Sequence, residues 1–248
     1  MTGSNTERRP SPVPEPLPAL DRYRGLLLDL PGTVMVDHHR FRDLDALVDH
    51  LCSGLPPKEI GQLPPLSEDR VKRWFGDALD LMGILYEDPS HWGRFPSLDE
   101  IFCRVDPELA RNPTLVAALV DTVAAFERGT IPPAHAEALR TLAQTHALAA
   151  VSNIWAPKGR WLAELSRAGV LSCFGALIFS SDGGPVKPRP GPFLAAARGL
   201  GLSPGQVLVI GDDPLRDGYG ARQAGMAYTI IGGLSGLDLP TLAARLPA

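Results

Sequence analysis

Residues Arg24–Val36 read RGLLLDLPGTVMV. An unbroken apolar run, Leu26-Leu27-Leu28, delivers one carboxylate, Asp29, and after Leu30 the chain meets Pro31, Gly32 and Thr33. A short apolar run closed by turn-forming residues is the pattern of a strand buried on both faces, and such strands belong to parallel sheets covered by helices. Open sheets of that kind bind ligands just beyond the carboxyl ends of their strands, which is where Asp29 stands.

Working outward, the same pattern returns in the second half of the chain. HALAAVSN (146–153), FGALIFS (174–180), QVLVIGDD (206–213) and AYTII (227–231) read as strands, and helical patterns over 134–145, 158–168, 192–200 and 214–224 alternate with them. Alternation of this kind implies an α/β fold in which helices cover both faces of a parallel sheet. From about His38 to Gly129 no strong strand signal occurs, so that section is expected to be mostly helical. Its clearest helix is NPTLVAALVDTVAAFERG: Asn112 is placed to cap, Pro113 sits where a missing N–H costs nothing, and Gly129 follows the last turn. FRDLDALVDHLC and SEDRVKRWFGDALDLMGILY are further helical readings, separated by the proline-rich GLPPKEIGQLPPL. Prolines at 10, 12, 14, 16 and 18 bias the N-terminal stretch to an extended or disordered tail. The expected organisation is a tail over 1–20, an α/β core over 21–37 and 130–248, and a helical insert over 38–129.

Composition removes several classes of function. The chain has 248 residues and a formal net charge of -4, with no basic footprint for nucleic acid, no apolar run long enough to span a bilayer and no basic amphipathic stretch for a membrane surface. Cys52, Cys103 and Cys173 lie far apart without ligand spacing, which suits buried thiols in a reducing, cytoplasmic compartment better than disulfides or a zinc site. A monomer or homodimer is expected.

Polar residues stand at the ends of four strands: Asp29 after the first, Ser152 and Asn153 after the second, Lys187 beyond the third, and Asp212 with Asp213 after the fourth. In a parallel sheet these ends converge. In their order, LLLDLPGTV, LAAVSN, VKPRPGPF and VLVIGDDPLRDGYGARQAGM resemble the four motifs of the haloacid dehalogenase superfamily, over about residues 24–233. The resemblance implies a Rossmann-like three-layer core with a parallel sheet, and the helices placed directly after the first motif resemble the inserted cap domain of its phosphoglycolate phosphatase, β-phosphoglucomutase and phosphonatase branch.

It also implies roles for particular residues. Asp29 matches the nucleophile that forms an aspartyl-phosphate. Ser152 matches the hydroxyl that binds a phosphoryl oxygen, Asn153 a supporting residue, and Lys187 the lysine that neutralises nucleophile and anion. Gly32 and Thr33 belong to the loop that cradles the phosphoryl group. Asp212 and Asp217 match acids holding Mg²⁺, a hard cation that takes oxygen ligands, and Asp29 with the carbonyl of Pro31 completes that set. Asp213, before Pro214, reads as a helix N-cap or as metal support. Arg189 adds positive charge near the mouth for a second anionic group, or faces solvent.

Pro31 is the departure. The phosphatases and mutases have an aspartate there, which protonates the leaving oxygen and then activates water. Proline can do neither and lacks an N–H besides, so a simple alkyl phosphate becomes a poor substrate. His38 and His39, where the chain leaves for the insert, are candidate substitute acids or bases. The expected activity is a Mg²⁺-dependent hydrolase acting on a small phosphorylated metabolite. The alternatives are phosphonate cleavage, for which Lys72 or Lys58 would be an imine-forming lysine, and a pseudophosphatase that binds a phosphorylated ligand or partner without turnover.

Overall fold

Five parallel strands carry the fold: β1 (Gly25–Leu28), β2 (Ala147–Ser152), β3 (Phe174–Phe179), β4 (Val207–Gly211) and β5 (Ala227–Ile230). The structure, a computed structural model, describes residues 19–37, 43–54, 67–232 and 235–245. The proline-rich tail up to residue 18, His38, His39 and Lys58 lie outside the described residues.

The strand order is β3-β2-β1-β4-β5. The chain therefore builds outward from β1 to β3 and then crosses to the other side of β1, which places the topological switch point between β1 and β4. Leu28 stands opposite both Ala150 and Ile210. The register brings Asp29 to the same edge as the end of β4, and the Asp29 N–H still donates to Ile210 O at 3.0 Å.

Between β1 and β2 the chain forms four described α-helices: α1 (Leu44–Gly54), α2 (Glu68–Glu87), α3 (Leu98–Val105) and α4 (Pro113–Glu127). The cap at Asn112 and the glycine after its helix stand where the sequence places them, and Ser67 is a further cap. Ser67 Oγ accepts from Arg70 N at 3.3 Å, Asn112 Oδ1 accepts from Leu115 N at 3.0 Å, and Gly129 adopts a φ of 73° after α4. The chain leaves and returns through adjacent segments, since Val36 and Thr130 exchange both backbone hydrogen bonds at 2.8 Å.

Beyond the insert come α5 (Pro133–Ala143), α6 (Gly159–Arg167), α7 (Gly191–Gly199), α8 (Gly220–Gln223) and α9 (Leu239–Ala243). Successive side chains of a strand point to opposite faces, and this divides the core in two. Leu26, Leu28, Leu148, Ala150, Leu208 and Ile210 pack with Leu139 and Leu142 of α5, Trp161 and Leu165 of α6, and the apolar faces of the insert. Leu27, Ala149, Val151, Val207 and Val209 pack with Phe193, Ala196 and Ala197 of α7 and Ala221 of α8. The result is a three-layer α/β fold whose insert shares one apolar core with the sheet. Each fully buried leucine contributes about 1.5–3 kcal/mol relative to exposure.

The helix expected over 214–224 is two pieces. Residues Pro214–Tyr219 form a wide π-helical turn, in which Gly218 N donates to Asp213 O at 3.2 Å, and α8 follows. Gly218 and Gly220 make room for this turn, because a Cβ on either would collide with the rings of Tyr228 and Phe193.

Candidate active site

At the switch point Lys187 lies between two carboxylates. Its Nζ donates to Asp217 Oδ1 at 2.6 Å and stands 3.0 Å from Asp29 Oδ1, with the lysine side chain only 2 % exposed. Asp29 Oδ1 also accepts from Leu30 N at 2.7 Å. Asp212 completes the group: oxygens of Asp29, Asp212 and Asp217 all lie within 4.8 Å of one another. Three carboxylates share one ammonium here. Burial pushes the Asp29 carboxyl up to about 8, with Lys187 opposing and Asp217 and Asp212 reinforcing the shift. Burial and then Asp217 push Asp212 up to about 6. Burial alone would lower the Lys187 ammonium, but Asp217 and Asp29 outweigh it and hold it above its ordinary value.

Two glycines make this crowding possible. Gly32 has a φ of 80°, and a Cβ there would fall on the Asp212 carboxylate. Gly211, the last residue of β4, would strike the Asp217 carboxyl in the same way. Asp217 is further fixed by its Oδ2, which accepts from Asp213 N at 3.1 Å. Asp213 itself caps the π-helical turn, its Oδ1 accepting from Leu215 N at 2.8 Å and Arg216 N at 2.9 Å.

The donor set fits a hard cation. It consists of carboxylate oxygens clustered at one edge, with no nitrogen or sulfur ligand. Leu30 O accepts the turn's N–H groups from Thr33, Val34 and Met35, whereas among the described residues the Pro31 carbonyl accepts none. An anion also has partners to meet: the hydroxyls of Ser152 and Thr33 are buried without a hydrogen-bond partner among the described residues. A buried hydroxyl without a partner costs free energy that a bound oxyanion would recover.

Asn153 supports the lysine rather than the anion. Its Oδ1 accepts from Lys187 N at 2.9 Å and its Nδ2 donates to Lys187 O at 3.1 Å, so the end of β2 fixes the lysine's backbone directly. The Gly32 N–H donates inward to Met35 O at 2.9 Å, and this glycine serves the site by making room for Asp212. Arg189 is exposed and forms no ion pair among the described residues. Lys72 is engaged within the insert, 2.6 Å from Asp45.

Three participants were given no role by the sequence reading. Tyr86, in the last turn of α2, accepts from Asn153 Nδ2 through its hydroxyl at 2.7 Å. The Arg216 guanidinium is stacked 3.9 Å from the Tyr86 ring centroid and 4.9 Å from that of Trp92, and donates to Tyr86 O at 2.7 Å and to Lys187 O at 3.3 Å. Glu127, at the end of α4, accepts from Trp155 N at 2.7 Å and Ala156 N at 3.0 Å and so holds the loop that follows Ser152 and Asn153. Only the position of Arg216 within GDDPLRD signalled one of them; the other two look like ordinary helix residues.

A parallel sheet gathers three carboxylates and one buried ammonium at its switch point, an arrangement that places the protein among α/β enzymes. Residues 23–225 match the family described as haloacid dehalogenase-like hydrolase, and the chain belongs to that family. It is 34% identical over 179 residues to a glyceraldehyde 3-phosphate phosphatase of Methanopyrus kandleri, covering 70% of each chain. It is 28% identical over 228 residues to a phosphoglycolate phosphatase of Escherichia coli K12, covering 82% of this chain and 78% of the other. In fold it resembles the crystal structure of a 2-haloacid dehalogenase from Pseudomonas syringae pv. tomato DC3000, with a TM-score of 0.62, 23% identity, and coverage of 90% of this chain and 98% of that one. Among the described residues no helix is long and apolar enough to cross a membrane.

Proposed function

We propose that the protein is a magnesium-dependent hydrolase of a small phosphorylated metabolite in the cytoplasm, that Asp29 is its nucleophile, and that Pro31 makes its acid-base chemistry non-standard. The observation that carries this reading is the cluster of Asp29, Asp212 and Asp217 around buried Lys187, beside two buried hydroxyls that lack partners. The relatives at 34% and 28% identity are phosphatases of small phosphorylated acids or aldehydes, which supports the substrate class. The insert over 38–129 would act as a cap on the core formed by 21–37 and 130–248.

Asp29, Asp212 and the Pro31 carbonyl would hold the magnesium ion, with Asp217 beside them. When bound, Mg²⁺ would favour the ionised form of Asp29 against its burial and would neutralise charge on the carboxylates and the phosphoryl oxygens. Asp29 Oδ1 is occupied by Leu30 N and Lys187, which leaves Oδ2 to attack phosphorus in line. The new P–O bond forms as the bond to the substrate's organic oxygen breaks, and the electron pair leaves on that oxygen. Lys187 offsets charge on Asp29, while Ser152 Oγ and Thr33 Oγ1 are the free hydroxyls for the phosphoryl oxygens. Pro31 has no proton to give, so the departing oxygen takes its proton from water. Water then cleaves the aspartyl-phosphate and restores Asp29.

The test is a screen of alkyl and aryl phosphates with and without Mg²⁺, run beside Asp29→Asn. Turnover that needs the metal and vanishes in the variant supports the reading. Phosphate binding by the wild-type protein with no turnover of any ester would establish a binding protein instead.

A further inference from the structure

The hydrogen bonds around Asn153 fix where one proton of the insert must go. Lys187 N can only donate and Lys187 O can only accept, so their bonds to Asn153 Oδ1 and Nδ2 set the orientation of that amide. The second hydrogen on Nδ2 then points at Tyr86, and the phenol oxygen is the acceptor at 2.7 Å. The phenol's own proton remains, and among the described residues it has no acceptor. The ring cannot turn away freely. Arg216 lies 3.9 Å from its centroid on one side, and Phe95 and Trp155 meet it edge-on at 5.9 and 6.3 Å.

Burial raises the phenol's pKa, against the pull of Asn153, Lys187 and Arg216, so the hydroxyl stays protonated at neutral pH. It is a donor tied by one hydrogen bond to Asn153, the residue that follows Ser152 and holds the backbone of Lys187. In-line attack sends the leaving oxygen to the side opposite Asp29, which in the reading above is the side covered by the insert that carries Tyr86.

We infer that Tyr86 is a substrate-contacting residue whose hydroxyl donates a hydrogen bond to the oxygen on the leaving-group side of the bound phosphoryl group. The inference rests on the anion site proposed above. No proton is transferred in this contact; the phenol stabilises charge on the departing oxygen, at a site where Pro31 offers nothing. Inorganic phosphate presents a fourth oxygen at the same place and is therefore a probe that needs no turnover.

Tyr86→Phe keeps the ring, and with it the stack under Arg216, and removes only the donor. Calorimetry with inorganic phosphate and Mg²⁺ should show binding weakened about tenfold relative to wild type, the scale of one neutral hydrogen bond. In turnover, kcat/KM for an alkyl phosphate should fall by a similar factor, and that for p-nitrophenyl phosphate by less, because its leaving group needs less help. A merely structural tyrosine would lower both substrates equally. Unchanged phosphate affinity together with an unchanged alkyl-to-aryl ratio overturns the role of Tyr86 and leaves the hydrolase reading standing. Absence of phosphate binding by the wild-type protein overturns both. Should Tyr86→Phe fail to fold, wild-type protein labelled with 3-fluorotyrosine gives the answer: the Tyr86 fluorine resonance shifts on adding phosphate if the contact exists and stays fixed if it does not.

Discussion

The Lys187 ammonium donates to Asp217 Oδ1 at 2.6 Å with both side chains almost wholly excluded from water, at 2 % and 1 % exposure. Breaking such a pair leaves a buried charge without its partner, which costs about 3–5 kcal/mol, whereas removing both charges costs less than the sum. Lys187→Met should lower unfolding stability by that amount in denaturant titrations, and Asp217→Asn by less, because Lys187 keeps Asp29 at 3.0 Å. The double variant should recover a large part of it. Strictly additive losses would contradict the pairing.

Gly32 is held at a φ of 80° directly against the Asp212 carboxylate. Gly32→Ala adds the left-handed backbone penalty of about 1–2 kcal/mol and a collision with Asp212. Stability should fall by at least that much, and Mg²⁺ affinity, read by calorimetry in the presence of phosphate, should fall with it. A variant as stable and as metal-competent as wild type would contradict the packing described.

Glu127 is buried, and burial raises its carboxyl from an ordinary 4.5 to about 8 against the two N–H groups that it accepts. A raised carboxyl binds its proton more tightly in the folded state than in the unfolded one. Its contribution to stability is therefore complete below about 4.5 and is lost as pH rises through about 8. The slope approaches 1.4 kcal/mol per pH unit at most. Asp29 and Asp212 slope the same way, so the informative quantity is wild-type stability minus that of Glu127→Gln, which should shrink steadily between pH 5 and about 8. A difference that grows with pH would reverse the assignment.

Without a carboxylic acid at position 31, ester cleavage should depend steeply on the leaving group. Aryl phosphates should outrun alkyl phosphates by about 10² or more, since general acid assistance typically contributes about 10²–10⁴. A hydrogen bond from Tyr86, at about tenfold, makes up only part of that loss. Equal rates for the two classes would reveal a full substitute acid, and His38→Ala and His39→Ala would then be the variants to compare.

Four of the five strands were legible as apolar runs followed by polar residues, and the convergence of Asp29, Asn153, Lys187 and Asp212 followed from the parallel sheet that those runs imply. The cap at Asn112 was equally plain, because capping is local chemistry. What escaped was set by distance along the chain. Tyr86 sits on α2 as one more half-buried aromatic, and only its packing over Asn153 gives it meaning. Glu127 precedes Arg128 and Gly129 and looks like a solvated last turn, yet the fold buries it to 5 % exposure beneath the loop after β2. Helix α3 spans eight residues, too few for apolar periodicity to announce it. The π-helical turn at Pro214–Tyr219 answers to the rings of Tyr228 and Phe193, neither of which is local.

The most direct test of the account is the rate of alkyl phosphate hydrolysis by Pro31→Asp in the presence of Mg²⁺, measured beside wild type and Asp29→Asn,Pro31→Asp. The substitution places a carboxyl group and a backbone N–H where the fold has a proline between Asp29 and Gly32, and it frees Leu30 from proline's steric restriction. If Asp29, the acidic cluster and Lys187 form a phosphoryl-transfer centre that lacks only its acid, hydrolysis should rise by about 10² or more and disappear when Asp29 is also replaced. A stable, magnesium-binding Pro31→Asp protein with no gain towards any phosphate ester would contradict that claim.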